Sequence, residues 1–213
     1  VITMSEGPEV TDMFLLDGNI VAQVTPENPI VFDGGGRCDF FVRKRASTEA
    51  LLEMDYATIK NGIQFWKSVS TGQFGSFSLR HTRMVNISSV SHLYYPEGDV
   101  YIEYNTFENA AGFSIVQRHD SKVYIQYNTF KGKNPALSES EASFWVENRG
   151  SFNESQTIVR YNNFDPADGV AVRLAPGQTQ AAMTATENYW GTTDPEVIEE
   201  MIEEMVEEMP ISF

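Results

Sequence analysis

The chain contains few of the groups that cross-link proteins, anchor them in membranes or bind metals. It has a single cysteine, Cys38, which excludes a disulfide within the chain. It has no apolar run near the ~20 residues of a membrane-spanning helix, so we expect no membrane insertion. Its three histidines, His81, His92 and His119, lack the spacing of zinc ligands. We therefore predict no zinc site.

Basic residues are scarce as well. The chain has 15 Lys and Arg but 30 Asp and Glu, which gives a formal net charge of −15. No Lys or Arg follows Arg173, whereas 194–208 contains eight acidic residues. Such a surface repels polyanions, which argues against nucleic acid and anionic membranes as partners.

What the chain has instead is a repeat. The sequence YNTF occurs at 104–107 and 127–130, and YNNF follows at 161–164. A unit this short cannot bury its own apolar face, so we expect successive units to stack as a solenoid. The anchor residues of the units, spaced by 23 to 34 residues, are Ile59, Met84, Phe107, Phe130, Phe164 and Trp190.

Alignment of the units predicts which side chains face the core. The inward column of the first strand is Leu52, Phe77, Val100, Val123, Thr157 and Met183, and its outward polar column is Asp55, Arg80, Glu103, Gln126, Arg160 and Thr186. A turn column follows with Ala57, Thr82, Asn105, Asn128, Asn162 and Asn188. Because a buried amide hydrogen-bonds the amides above and below it, we expect an asparagine ladder here. We interpret the ring column just before it as structural stacking; its members are Tyr56, His81, Tyr104, Tyr127 and Tyr161.

Each unit also shows a second strand after its anchor. The predicted inward pairs of this strand are Phe113/Ile115, Phe144/Val146 and Val170/Val172. One unit is longer than the others, and its extra residues within 133–142 must form a loop beside this strand. Insertions in solenoids collect on the face that binds.

The two ends differ from the repeat. We predict an N-terminal capping segment at 1–30 with strands at 13–16 and 20–24, a coiled body at 31–193, and an amphipathic capping helix at 194–209. Asp194 is the expected N-cap, and Pro195 suits the first turn. The helix would cover the open end of the stack, and its methionine-rich stripe leaves a protein partner open as the alternative. Three glycines at 34–36 predict a tight turn or a close backbone approach.

The units ending IEYNTF and IQYNTF, and the segment NYWGTTDP at 188–195, resemble the right-handed parallel β-helix superfamily. Within it they resemble the pectate-lyase-like group and its parallel β-helix repeat relatives. The resemblance spans about 52–209 and implies an all-β, single-stranded right-handed parallel β-helix of about six to seven coils with a C-terminal capping α-helix. It also implies an extracellular or cell-surface location and a polysaccharide partner. Since the superfamily includes lyases, hydrolases, adhesins and surface-layer proteins, the fold does not select an activity.

Outward aromatic side chains are candidate ligand-binding residues. Tyr101 and Tyr124 lie one unit apart on the first strand, and Trp145 lies on the second. Sugar rings pack their C–H faces against exposed aromatic rings. The alternative is that overhanging loops cover these rings.

Charged side chains at the end of the second strand form another candidate site. Alignment of Ile115 with Val146 places Arg118 level with Arg149, and it places Glu147 and Arg173 in one outward column with Val116. Stacked arginines suit a carboxylated sugar, and a lyase needs a base beside such a carboxylate. The alternative is ion pairing along a solvated ladder. The candidate catalytic residues are Arg118, Arg149 and His119, and the candidate ligand-binding residues here are Glu147 and Arg173.

Metal-dependent and hydrolytic chemistry has less support. Calcium is a possible cofactor of a lyase, but Asp165 and Asp168 lie at a predicted turn, and no acidic cluster recurs on neighbouring units. Asp55 and Glu103 would lie two units apart with Arg80 between them, which fits an inverting hydrolase only nominally. We therefore predict neither a cofactor nor a metal site.

The sequence favours a non-catalytic extracellular module that binds polysaccharide or forms part of a larger cell-surface protein. The first alternative is a small polysaccharide lyase acting on a uronate-containing glycan. The second is a structural or assembly element. The small number of units favours the module, because few coils and one loop insertion give a shallow groove.

Overall fold

The protein is an all-β parallel β-solenoid, as the repeat predicts. The computed structural model describes residues 2–3, 11–16, 19–36, 38–43, 51–68, 75–117, 121–132, 144–148, 157–165, 169–175, 183–204 and 211–212. Within these residues every strand pair is parallel, and successive strands of the chain fall in turn on three faces. The described residues contain one short helix, α1 (Pro195–Glu200).

The strands are numbered β1 to β22 in chain order. The first face is one sheet of β3 (Ile20–Gln23), β6 (Leu52–Asp55), β9 (Phe77–Arg80), β12 (Val100–Glu103), β15 (Val123–Gln126), β18 (Thr157–Arg160), β20 (Met183–Thr184) and β22 (Ile211–Ser212). The second face is one sheet of β1 (Ile2–Thr3), β4 (Ile30–Asp33), β7 (Ala57–Gly62), β10 (Arg83–Ile87), β13 (Thr106–Ala110) and β16 (Thr129–Lys131). The third face has a sheet of β2 (Thr11–Leu16), β5 (Cys38–Arg43) and β8 (Gln64–Ser68) followed by a sheet of β11 (Ser91–Tyr94), β14 (Phe113–Gln117), β17 (Phe144–Asn148), β19 (Val172–Ala175) and β21 (Ile202–Glu204).

Complete coils are fewer than the six to seven predicted. Coils with all three strands described run from β3, β4 and β5 to β15, β16 and β17. In the next two coils the second face is reduced to single bridging residues, Asn163 and Tyr189. The anchor residues therefore recur beyond the point where full strands form.

The predicted inward column is confirmed by the strand register. Leu52 pairs with Phe77, and the column continues through Val100, Val123, Thr157 and Met183. Each of these side chains is at most 1% exposed. Burying an apolar side chain of this size contributes about 1.5–3 kcal/mol relative to leaving it in water, so the stacked column is a main source of stability.

The predicted asparagine ladder is also confirmed. The Nδ2 group of Asn105 donates to Oδ1 of Asn128 at 3.0 Å, Asn128 donates in the same way to Asn162 at 3.0 Å, and Asn162 to Asn188 at 2.9 Å. Asn128 Nδ2 also donates to the carbonyl oxygen of Ile102 at 2.8 Å. These bonds satisfy buried backbone groups at a turn that would otherwise leave them unpaired.

The anchor rings stack directly behind the ladder. Centroid distances are 4.7 Å for Phe107–Phe130, 5.0 Å for Phe130–Phe164 and 5.0 Å for Phe164–Trp190. These distances match the ~4.8 Å separation of neighbouring strands, so one ring per coil fills the core without a gap.

The N-terminal part of the chain joins the coil. β1, β2 and β3 pair in parallel with β4, β5 and β6, so they extend all three faces. The predicted close backbone approach occurs at Gly34, where an added Cβ would lie 2.6 Å from the carbonyl oxygen of Asn61.

The predicted helix over 194–209 is wrong in its length. Its start is as expected, because the Asp194 carboxylate accepts a hydrogen bond from the Glu196 amide at 3.1 Å. However, α1 ends at Glu200, and β21 pairs in parallel with β19. This pairing satisfies the open edge of β19, which outweighs the helix preference of the glutamates. Residues 205–210 lie outside the described part of the chain.

Candidate functional site

The corner between the first and second faces carries the most regular set of exposed rings. The residue after each of β6, β9, β12, β15 and β18 has a positive φ, between 45° and 58°; these residues are Tyr56, His81, Tyr104, Tyr127 and Tyr161. We call these five residues the tyrosine ridge. The left-handed conformation bends the chain sharply, so that the next residue, at the ladder position, is buried.

The predicted stacking of the ridge is confirmed. Successive ring centroids lie 4.5, 5.1, 4.7 and 4.9 Å apart, and the rings are close to parallel. Tyr104, Tyr127 and Tyr161 are nevertheless 48%, 43% and 42% exposed. Because each ring face covers the next, the ridge presents ring edges and hydroxyl groups to the solvent.

The corner between the second and third faces has the same backbone conformation but different residues. Asn61, Asn86 and Asn109 have φ values of 49° to 55°. Their amides form an outer asparagine ladder, in which Asn109 donates to Asn86 at 2.7 Å and Asn86 to Asn61 at 3.0 Å. This outer ladder was not predicted from the sequence, although the spacing of the three asparagines follows the repeat. Large rings are therefore not required by a left-handed corner in this solenoid.

Charged side chains on the outside of the first face are paired with one another. Register confirms the predicted outward column from Asp55 to Arg160. The nitrogen–oxygen distances are 2.8 Å for Arg80–Glu103, 2.8 Å for His81–Asp55 and 3.9 Å for Arg160–Glu187. Three acidic side chains of this surface thus each contact a basic side chain.

The two predicted ligand-binding tyrosines of this face are half-buried. Tyr101 and Tyr124 stack with centroids 5.0 Å apart, and the Arg80 guanidinium lies 4.7 Å from the Tyr101 centroid. Burial, together with the charge and hydrogen bond of Asp99, raises the pKa of the Tyr101 hydroxyl. Tyr101 is therefore covered by a second ring and by a cation, and it is less accessible than the ridge.

The third face contains the predicted arginine site. Pairing of Ile115 with Val146 is confirmed, and it places Val116 beside Glu147. Trp145 and Glu147 both lie in strand β17, where they pair with Ser114 and Val116. The other predicted residues lie outside the described part of the chain; they are Arg118, His119, Arg149 and the loop 133–142.

The predicted column of Glu147 with Arg173 is wrong. Arg173 pairs with Trp145, and Glu147 pairs with Ala175. The strand begins at Val172 and not at Val170, so its register is shifted by two residues from the predicted one. Arg173 is only 6% exposed, so it does not lie on a solvated ladder.

Polar side chains of the described third face are mostly buried. Gln117 is fully buried; it accepts a hydrogen bond from the Thr157 hydroxyl at 3.1 Å and donates to the Ser121 carbonyl at 2.9 Å. Ser114 is 6% exposed, and burial lowers the pKa of His92 on the neighbouring strand. Both sides of β14 are thus covered, and its residues do not line an open cleft.

Other classes of site have little support in the described part of the chain. Among the described residues there is no group of three or more His, Cys, Asp or Glu placed to hold a metal ion. No helix in the described ranges is long and apolar enough to cross a membrane. Comparison of the chain with protein-family models, curated proteins and solved structures gives no match. Membership of the pectate-lyase-like group therefore stays a prediction, whereas strand pairing shows the parallel coil.

Proposed function

We propose that the protein is a non-catalytic binding module that holds a neutral polysaccharide chain along the tyrosine ridge, parallel to the solenoid axis. We further propose that it works outside the cell or at the cell surface, as part of a larger surface protein. That setting agrees with the ligand class and with the resemblance to the pectate-lyase-like group.

The choice of residue on the ridge is the observation that carries the proposal. A residue held in a sparsely populated backbone conformation costs on the order of 1–3 kcal/mol. A stacked aromatic pair contributes only about 0.5–1.5 kcal/mol beyond its buried area. The outer asparagine ladder shows that this chain fills the same conformation with asparagine at its other corner. Fold stability alone therefore does not account for the tyrosines, whereas contact with a ligand does.

The geometry of the ridge suits a linear polymer. From Tyr104 to Tyr161 a tyrosine hydroxyl repeats once per coil, on rings whose centroids lie 4.7 and 4.9 Å apart. A phenol hydroxyl both donates and accepts hydrogen bonds, as the hydroxyl groups of a sugar do. Weak contacts repeated along one chain add up through their high effective concentration.

The charges beside the ridge favour an uncharged ligand and binding without turnover. Glu103 and Glu187 each lie next to an arginine on this face, and Asp55 contacts the His81 ring. General acid–base catalysis needs a group free to transfer a proton to the substrate. The net charge of −15 also opposes the approach of an anionic glycan.

Affinity electrophoresis in gels containing neutral or uronate polysaccharides tests the proposal. We expect neutral polymers to retard the protein and Tyr127→Asn to weaken binding about tenfold, because it removes one central ring. Asparagine keeps the left-handed backbone, so the variant should stay folded, with a thermal midpoint lowered by a few degrees through the loss of two stacked pairs. Asn109→Gly, at the opposite corner, is the matched control and should bind normally.

Two other results would contradict the proposal. Preferential binding of polygalacturonate, with an unsaturated product appearing in the ultraviolet with or without calcium, would establish the lyase alternative. Absence of retardation by every polysaccharide would favour a structural or assembly role.

A further inference from the structure

A shallow groove lies on the second face, near the C-terminal end of the coil. Its volume is about 490 Å³, and its described lining consists of Phe130, Asn163, Phe164, Asp165, Tyr189 and Gly191. None of these residues belongs to the tyrosine ridge. The groove therefore belongs to a different surface from the one to which the polymer is assigned.

The groove exists because the second face narrows. β13 has five residues and β16 has three, and the next two coils contribute only the bridging residues Asn163 and Tyr189. In the described part of the chain, no strand follows either bridge on this face. The floor is formed by Phe130 and Phe164, which are 6% and 3% exposed.

Tyr189 has the most exposed large hydrophobic side chain in the described part of the chain, at 60%. Unlike the ridge tyrosines, it has no stacked partner among the described rings, so a face of its ring is open to a ligand. Sugar C–H groups carry partial positive charge and pack against the negative face of such a ring.

Polar groups converge beside this ring. Asn163 is paired with Tyr189 in the sheet, and its Nδ2 group donates to the Thr129 hydroxyl at 3.3 Å. Its Oδ1 atom has no hydrogen-bond partner among the described residues. The exposed carboxylate of Asp165 lines the same groove. An amide oxygen and a carboxylate both accept hydrogen bonds, and neighbouring sugar hydroxyl groups supply the donors.

We infer that this groove is a second binding site, which takes a single neutral sugar ring stacked on Tyr189. The net charge of −15 opposes the approach of uronates and sulfated sugars, so we expect a neutral ligand. The ligand class rests on the proposed function, but the site does not depend on the ridge. A few directional polar groups beside an apolar surface are what small-ligand sites generally contain.

Ligand-observed NMR and calorimetric titration with methyl glycosides test the inference. The probes are the methyl glycosides of glucose, galactose and N-acetylglucosamine, with methyl galacturonate as the anionic comparison. Each is too short to span the ridge. We expect binding of at least one neutral glycoside, about tenfold weaker in Tyr189→Ala and retained in Tyr189→Phe, since only the alanine variant loses the ring face. The uronate should bind more weakly than its neutral counterpart, because of the net negative charge of the protein.

Tyr127→Asn separates this site from the ridge. Loss of polymer retardation with unchanged glycoside binding in Tyr127→Asn would support two independent sites. Glycoside binding by a protein that binds no polymer would contradict polymer binding at the tyrosine ridge and would support the site in the groove. Three results would each contradict a sugar site in the groove. They are a glycoside affinity of Tyr189→Ala within twofold of the unmodified protein, equal binding of the uronate, and no glycoside binding at millimolar concentration. Circular dichroism of the variants verifies that the coil remains folded.

Discussion

At the residue scale, burial separates two asparagine ladders with similar chemistry. Asn128 is fully buried, and its side chain bonds Asn105, Asn162 and a backbone carbonyl. Asn109 is exposed, and its side chain bonds Asn86. Water can replace the bonds of the second ladder but not those of the first. The inner ladder should therefore contribute more to stability.

We expect Asn128→Ala to lower the free energy of unfolding by roughly 3 kcal/mol, because it leaves buried groups of Asn105 and Ile102 without partners. Asn109→Gly, which suits the positive φ of that position, should lower it by less than about 1 kcal/mol. Denaturant unfolding followed by circular dichroism measures both. Equal losses would show that the two ladders stabilise the coil to the same degree.

Sequence alternation predicted much at this scale. The spacing of Asn105, Asn128 and Asn162 identified the inner ladder, because burial restricts that position to side chains that bond within the stack. It did not indicate the exposure of the ridge. A tyrosine that stacks and a tyrosine that is exposed to solvent give the same sequence pattern. The positive φ of the ridge residues was not predicted either, because no glycine occupies these positions.

At the scale of elements, ion pairs join neighbouring strands on the second face. Glu108 on β13 bonds Arg83 on β10, and this contact lowers the pKa of the Glu108 carboxyl despite some burial. On β4, partial burial alone would raise the pKa of Asp33, but hydrogen bonds from Asn61 and Lys60 outweigh it and lower that pKa. Ionised carboxylates are thus favoured in the folded state.

These shifts predict a loss of stability in acid. A carboxyl whose pKa is lowered by folding stabilises the protein above its unfolded pKa, and the stabilisation disappears as the pH falls through the folded pKa. The difference in thermal midpoint between the unmodified protein and Glu108→Gln should therefore be largest above pH 4.5, the ordinary value for this carboxyl, and should shrink below it. Added salt should reduce the difference, because the pair is partly exposed. A difference that is constant with pH would contradict this origin.

Elements were harder to predict near the C-terminus than in the repeat. Pro195 and Asp194 correctly gave the start of α1, because N-terminal signals are local. Its end depends on the open edge of β19, which is remote in sequence and becomes available only after the coil has formed. The register of Arg173 was predicted incorrectly because a shift of two residues leaves the inward–outward alternation of the strand unchanged.

At the scale of the whole molecule, each coil contacts mainly the coils above and below it. Central strands such as β12 and β15 have neighbours on both sides, whereas β3 has a neighbour on one side only. Stability in such an array is close to a sum of coil and interface contributions. The ends should therefore open more readily than the middle.

Hydrogen exchange measured by mass spectrometry should reveal this gradient. We expect β12 and β15 to exchange most slowly and β3 to exchange fastest among the first-face strands, because Val21 of β3 is 59% exposed and its strand lies at the sheet edge. Uniform protection across these strands would instead indicate that the coil opens as one cooperative unit.

The candidate site was predicted less well than the fold. Repetition identified the columns, because every unit must satisfy the same packing. Sites depend on departures from the repeat, such as the narrowing at Asn163 and Tyr189, and no single unit predicts them.

The inner ladder also makes the coil a modular unit of exchange. Asn128 and Asn162 each meet another asparagine amide above and below, so either could take the place of the other. Duplication or deletion of one whole turn in this part of the coil would leave the junctions of the ladder chemically unchanged. Such a scaffold lengthens or shortens by whole coils. The length of its outer surface along the solenoid axis is therefore set by the number of coils and not by their sequence.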